Sequence, residues 1–504
     1  MAYTNSPENQ TYKTVSIKFD GTDLYRSGDL TVQRDLQIVN MFYDRISQEN
    51  QTREVKLKKR PGLSTSSYSL NKASASDVLR GSHYDQDYNL LYWVVGDKVY
   101  SVAPDTGTSV RTVTTLGTST GYVGFCSYLK SDGTRYIVIS DGTDLWYDNF
   151  NTTTCTMVTH AGTFPSPHQP YPIYLDGYVF LIKKDSGDIL NCVVDDVATW
   201  TGDPITAEIS SDFAKRLVKA KNYLICLGTN SAEYFYDAGN TAPESPLSRN
   251  DSPVRNVGYV SNLVTIGDTT YFVGMDGQQN LAVFSINSFK IDRVSNPVVD
   301  RTLESFSTTS NAKGNITLDI DGYSITVDGH AFYVLVTPQT TWVYDVNDKF
   351  WYEWKGSDGE GLQIEAVWPM FNGNIYVAIA GQSYISILSP SNYQDFGSNF
   401  TCRYTTENTT FDSFNWKVLH RLSLNASKHI NGDYTNASNV TLTWSTDDWA
   451  SGTVTGPRYL NVFSNSPYTT RLGRLRNISL RFEYADNYPF FMSGCELDLN
   501  VMGI

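Results

Sequence analysis

The chain lacks any run of about 18 apolar residues, so no helix spanning a membrane is expected. Its start, MAYTNSPENQTYKT, is polar and carries no apolar segment of a secretory leader, so a protein made and kept in a cytoplasm, or carried out inside an assembly, is expected. Cysteine is scarce: the six thiols at 126, 155, 192, 226, 402 and 495 form no CxxC, which speaks against a zinc knuckle and favours buried, reduced cysteines over disulfides. Several N-x-S/T sequons, among them Asn315, Asn408, Asn436, Asn439 and Asn477, then reflect an Asn/Thr-rich composition rather than glycans. The six histidines make no HExxH, and neither a GxSxG, a Walker A loop nor a strand-linked GxGxxG occurs. No catalytic residue, metal or cofactor is therefore assigned. Long stretches with a 3.6-residue period are missing too, and the best helical candidate is short, at 212–218. A basic excess is also lacking. The formal charge is −14, which argues against a sequence-reading DNA binder and suits the wall of a passage along which DNA slides.

What is present is a β-rich repeat. An aromatic-led apolar run, a short Gly/Asp/Asn turn and a second alternating run return seven times, led by Tyr92, Tyr136, Tyr178, Tyr223, Tyr271, Tyr333 and Tyr376. The spacings are 44, 42, 45, 48, 62 and 43 residues, a period of the length that one propeller blade needs. A single blade cannot bury both its faces, so blades stacked about an axis make the core. The expected fold is all-β: a β-propeller over 81–395, preceded by N-terminal strands in 1–80 that close or flank it. It is followed by an antiparallel β-sandwich-like domain over 396–504, with strands near 416–424, 440–445, 475–484 and 495–501.

Two constellations invite a chemical reading. Asp148, Asp185, Glu233, Asp237, Asp345 and Glu353 recur at blade edges, and glycoside hydrolysis needs two such carboxylates. Aspartate at hairpin ends is also ordinary turn chemistry, which is the preferred reading. Ser445-Thr446-Asp447-Asp448-Trp449 resembles a sialidase Asp-box without its glycine, and Asp319-Ile320-Asp321-Gly322 lacks the rest of a calcium loop and reads as a turn. Basic residues gather twice, at Lys56, Lys58, Lys59 and Arg60, and in the acid-free stretch 457–481 with Arg458, Arg471, Arg474, Arg476 and Arg481. In so acidic a chain these suggest docking surfaces for acidic partners, with Lys56, Lys58, Lys59, Arg60, Arg471, Arg474 and Arg476 as candidate interface residues. A solvated strand face, or arginines bracing the sandwich against its own propeller, is the plainer alternative.

Short segments spread from end to end resemble one family. They are Val39-Asn40-Met41 followed by Lys59-Arg60-Pro61-Gly62-Leu63, then Arg80-Gly81, Leu227-Gly228 with Glu233-Tyr234-Phe235, Gly473-Arg474-Leu475-Arg476, and Ser493-Gly494-Cys495-Glu496-Leu497. Their order and spacing are similar to those of the tail hub or nozzle proteins of short-tailed podovirus phages, the packaged-DNA stabilisation or head-completion proteins. The resemblance implies a virion protein and a ring, commonly a homohexamer, beneath the portal adaptor. That ring would extend the DNA channel, touch passing double-stranded DNA, retain the genome and dock a tail needle, fibre or spike. A mainly acidic and polar lumen is then expected. The alternatives are a carbohydrate-active or carbohydrate-binding propeller and a host-type scaffold for protein partners.

Overall fold

The computed structural model describes residues 13–19, 37–46, 54–104, 109–150, 155–221, 223–305, 320–369, 374–411, 413–427, 438–447, 449, 453–454, 458–459 and 467–502. The sequons at Asn315 and Asn436, together with Asp319 and Asp448, lie outside these residues.

Seven four-stranded antiparallel units follow one another around an axis. Their first strands are Leu79–Asp85, Gly124–Leu129, Ile173–Leu175, Ala214–Ala220, Val257–Ile266, Asp321–Val327 and Ile364–Pro369, numbered here as blades 1 to 7. First strands of successive blades lie side by side, except that blade 4 meets blade 5 through Ala214–Ala220 against Thr269–Asp276 and Tyr223–Gly228 against Val257–Ile266, and Ile364–Pro369 returns to Leu79–Asp85, so the ring is closed. All seven lead tyrosines occupy the second strand of their blade. That strand is covered on both faces by neighbouring blades, which is why it reads as a continuous apolar run, as in Leu90–Val95 (LLYWVV).

The alternation of side chains then builds the core. In blade 1, Tyr92 and Val94 join Ile137 and Ile139 of blade 2, whereas Leu91, Trp93 and Val95 join Ala366, Trp368 and Tyr376 of blade 7. Equivalent clusters fill the other interfaces, so each blade is one half of two cores. The last blade takes its outer strand from the start of the chain: Gly62–Ser69 pairs antiparallel with Tyr384–Ser389. Non-local pairing of this kind fastens the ring.

The remaining strands form a two-sheet sandwich. One sheet runs Met41–Ile46, Glu54–Lys59, Phe491–Val501, Lys417–Ala426, Tyr468–Leu475, with Lys13–Lys18 added on Phe491–Val501. The other extends blade 6: its outer strand Phe350–Trp354 bridges to Gln37–Val39, which leads on to Cys402–Thr405, Ser479–Tyr484 and Asn439–Ser445. One apolar cluster runs from Phe332 and Val377 of blades 6 and 7 to Leu422, Phe482 and Leu497 of the sandwich. The described strands of the first 80 residues therefore divide between both bodies.

Two expectations are corrected. The stretch 212–218 is not helical: Ala214–Ala220 is the inner strand of blade 4, paired with Tyr223–Gly228 across a bulge at Lys215. The helix is Pro297–Ser305, started by Asn296, whose Oδ1 accepts from Val298 N and Val299 N, with proline at its first position. The single strand expected at 475–484 is two. Tyr468–Leu475 and Ser479–Tyr484 lie in opposite sheets, because Leu475 and Ile478 both turn inward at the crossing between them.

Candidate interaction surface

The first basic cluster splits. Lys59 and Arg60 are fully buried, which corrects their assignment as docking residues. Arg60 holds Asp395 through both terminal nitrogens, at 3.1 and 2.5 Å, and donates to Asn40 Oδ1, the Pro61 carbonyl and the Lys355 carbonyl. Its guanidinium lies 3.8 Å from the centre of the Phe400 ring. Asn40 turns the chain between Gln37–Val39 and Met41–Ile46 with φ of 57°, a conformation asparagine tolerates better than most residues. Its side chain also accepts from Lys355 N and donates to the Thr401 carbonyl. The Val39-Asn40-Met41 and Lys59-Arg60-Pro61-Gly62-Leu63 segments thus form one pin joining the N-terminal strands, blade 6 and the link after blade 7. Lys59 donates to the Asp486 carbonyl over Phe400 and Tyr484, and burial pushes its pKa down. Lys58 reaches Asp328 of blade 6 at 2.8 Å, and Arg45 on the paired strand reaches Asp348 at 2.9 Å. Lys56 is half-buried on the same hairpin. This cluster is a joint between propeller and sandwich.

The other resembling segments are structural as well. Arg80 is buried and its guanidinium donates to the carbonyls of Gly96, Thr118, Thr120 and Gly121 and to Thr118 Oγ1. Gly81 has no space for a side chain, since a Cβ would meet the Val123 carbonyl oxygen at 2.0 Å. Glu233 is buried and accepts from Ile209 N and Ser210 N.

The blade-edge carboxylates are held in the same manner. Asp148 accepts from Phe150 N, from the Tyr92 hydroxyl and from Arg111. Asp237 accepts from Gly239 N, and Asp345 from Asn347 N and Asp348 N. Glu353 meets Gln37, Thr340 and Lys355. Asp185 sits in a hairpin turn with φ of 55°. Each caps a turn or ties strands, and the recurrence seen in the sequence is that of the blade's own turn chemistry.

His330, Asp345 and Asp348 bring ligand atoms within 4.8 Å of one another, a spacing that fits a metal ion. The group already has partners within the protein. His330 Nδ1 lies 2.7 Å from Asp345 Oδ2, and Arg45 faces Asp348. Burial pulls the His330 pKa down, but the Asp345 hydrogen bond and charge, with Asp348 and Asp44, reverse this and leave it raised. Burial also raises Asp348, with Asp345 adding to it. Ser140 and His168 form a nucleophile-and-base-like pair at 2.8 Å, yet both are sealed from solvent, and His168 is turned by the Pro165 carbonyl rather than by a carboxylate. Burial lowers the His168 pKa to about 4, so the ring is neutral at ordinary pH.

The second basic cluster is on the surface. Tyr468–Leu475 is the end strand of its sheet among the described residues, and Arg471, Arg474 and Arg476 are exposed there. Arg474 and Arg476 lie over the same Trp416 ring, at 4.4 and 4.7 Å. Arg421 lies 4.9 Å from the Tyr468 ring on the neighbouring strand. Arg474 and Arg476 thus share one tryptophan. Arg481, from the same acid-free stretch, turns to Trp449 in the other sheet. Arg458 lies in the short strand Arg458–Tyr459, on the other sheet too. Phe414 and Trp416 carried no charge pattern to mark them in the sequence.

With this geometry in view, residues 36–390 match the sequence model of a phage-stabilisation family described as bacteriophage P22 Gp10, β-propeller. The chain belongs to this family. It is accordingly a bacteriophage structural protein of the head-completion and DNA-stabilising class. The match opens just before Gln37–Val39 and closes just after Tyr384–Ser389, so it takes in the whole propeller with the pin residues Asn40 and Arg60. The C-terminal strands of the sandwich lie beyond it. A comparison with curated proteins finds no match. Among solved structures, the WD40 β-propeller domain of Doa1 is 12% identical with a TM-score of 0.37, covering 65% of this chain and 97% of that one. YCF48 from Cyanidioschyzon merolae is 12% identical with a TM-score of 0.40, covering 66% and 100%. The N-terminal domain of Nup159 is 10% identical with a TM-score of 0.37, covering 70% and 98%. At such scores these likenesses carry no functional argument.

Proposed function

We propose that the chain is a tail hub or nozzle subunit of a short-tailed phage. It assembles into a ring, with six copies expected, below the portal adaptor. The ring extends the DNA channel, retains the packaged genome and docks a tail needle, fibre or spike. Double-stranded DNA touches it only in passing. The observation that carries the reading is the family match across the propeller. The surface chemistry agrees with it: the buried histidines and carboxylates serve as struts, and exposed arginines with no carboxylate at ion-pair distance among the described residues lie together at one sheet edge of the sandwich. No enzymatic activity, cofactor or resident metal is part of the proposal, and assembly takes place in the host cytoplasm.

Imaging of particles that carry a label at the C-terminus of this chain tests the reading. Density at the portal-proximal part of the tail, in ring symmetry, is the expected result. Label absent from particles, or on the capsid shell, overturns it. Release of sugar from host lipopolysaccharide or capsule by the isolated protein would instead favour a carbohydrate-active propeller.

A further inference from the structure

We infer that the Trp416–Arg474–Arg476 edge of the sandwich docks on the acidic turn face of the propeller of a second copy of this chain. The inference rests on the ring reading and names the two surfaces that meet.

Charge is divided unevenly along the chain. Residues 61–395 hold 36 Asp and Glu against 20 Lys and Arg, whereas the rest of the chain holds 17 against 19. The propeller thus carries a net −16 and the rest of the chain +2. Within each blade, the turns joining first to second and third to fourth strands emerge on one face. On blades 2 to 5 that face carries Asp132, Asp176, Asp195, Asp196, Asp237 and Asp268, none of them in an ion pair among the described residues, against Lys130 and Lys221 in the same set of turns. On blade 6 the equivalent acids Asp328 and Asp348 are paired, with Lys58 and Arg45 of the sandwich. One chain therefore already shows how a sandwich edge seats on this face: cations of the strand hairpin meet acids of the blade turns.

The opposite edge of the same sheet carries arginines again, here with no carboxylate at ion-pair distance among the described residues. Sheet order places the engaged hairpin at one end and Tyr468–Leu475 at the other. Arg421, Arg471, Arg474 and Arg476 have no carboxylate within ion-pair distance among the described residues, whereas Arg45, Arg60, Arg111, Arg135, Arg249, Arg293 and Arg403 all do. Large apolar side chains lie with them: Phe414 is 81% exposed, Tyr468 44% and Trp416 38%. The Met502 amide donates to the Trp416 carbonyl, so the exposed Met502 lies on the backbone next to Trp416. Tryptophan, tyrosine and arginine side by side are the composition of an interface hot spot. The strand is also unsuited to simple strand addition. Its register shifts opposite Leu419 and Arg421, and Arg471 and Gly473 both have positive φ, at 63° and 93°. A bulge of this kind blunts a sheet edge against further pairing, so recognition falls to the side chains. A contact between two different surfaces is heterologous, and repeated copy to copy it closes a ring or grows a filament.

The test is the mass distribution of the full chain in solution at low and high salt, beside R474Q/R476Q and W416A. Glutamine keeps a planar head on the Trp416 ring while removing the charge, so folding is checked by melting and assembly is read separately. The expected result is assembly of the wild type that weakens with salt, and an apparent affinity at least about tenfold lower for R474Q/R476Q at an unchanged melting temperature. Assembly of R474Q/R476Q and W416A equal to wild type overturns the inference and leaves the ring reading standing on another surface. A wild type that stays monomeric at every salt concentration removes both. If oligonucleotide binds the wild type, is lost in R474Q/R476Q and proceeds without self-assembly, the edge is a nucleic-acid site and the inference fails.

Discussion

Arg60 is the residue on which the two bodies of the molecule turn. It is fully buried, bidentate to Asp395 and stacked on Phe400. Replacing both partners of a buried pair with apolar groups often costs little, whereas removing one leaves a charge stranded. Arg60→Ala should therefore destabilise the chain by about 3–5 kcal/mol in denaturant melts. Asp395→Asn should lose less, since its amide still accepts one hydrogen bond. Equal, negligible losses in both would show that the pin does not join the bodies. Gly81 allows a sharper test of geometry. The clash of an added Cβ with the Val123 carbonyl is with backbone, which cannot rotate away. Gly81→Ala should cost about 1–3 kcal/mol, measured in the same melts. His330 gives the joint a pH dependence. Its folded pKa is raised, so the folded state binds the proton more tightly than the unfolded chain. That stabilisation is complete below the ordinary histidine value of about 6.5 and is lost as pH rises through the folded value. The melting temperature of the wild type should fall across that window more than that of His330→Gln; parallel profiles would remove the role assigned to His330.

At the scale of elements, closure depends on a strand contributed from the far end of the chain. Gly62–Ser69 completes blade 7, with Leu63 buried against Leu388 and paired to it in register. Leu63→Ala removes packing from the seam itself and should cost about 2–5 kcal/mol. It should also hasten protease cutting near the seam before any global loss of structure, and uniform cutting across all blades would argue against a distinct seam. The blades were legible because their second strands are buried on both faces and so read as unbroken aromatic-led runs. The fourth strands were not. Thr156–Met157 and Ile205–Thr206 are two residues long and carry no periodicity to find. The inner strand Ala214–Ala220 was misread for a related reason. Its buried positions Ala214, Leu217 and Val218 are spaced as a helix face would be, because a bulge at Lys215 breaks the strand alternation, and only pairing with Tyr223–Gly228 settles it. The helix Pro297–Ser305 had a readable start in Asn296 and Pro297, obscured by the long polar stretch around it.

For the whole molecule, charge is the property the sequence shows in total but not in place. The −14 balance was visible; its concentration on the propeller turns, and the contrast with a sandwich edge of four arginines, needed the fold. The basic run 56–60 and the acid-free stretch 457–481 looked alike in sequence. Strand alternation and the turn at Asn40 bury Lys59 and Arg60, while the edge position of Tyr468–Leu475 leaves Arg471, Arg474 and Arg476 outside. A ring built by the second cluster places a mostly acidic body next to DNA, which would repel the duplex instead of binding it. The measurement that bears most directly on the central claim is the DNA content of phage particles assembled without this chain. Particles that fill normally, then lose their genome and complete no tail, are the predicted result. Particles that lack the chain yet retain DNA and carry intact tails would contradict a role in sealing and extending the portal channel.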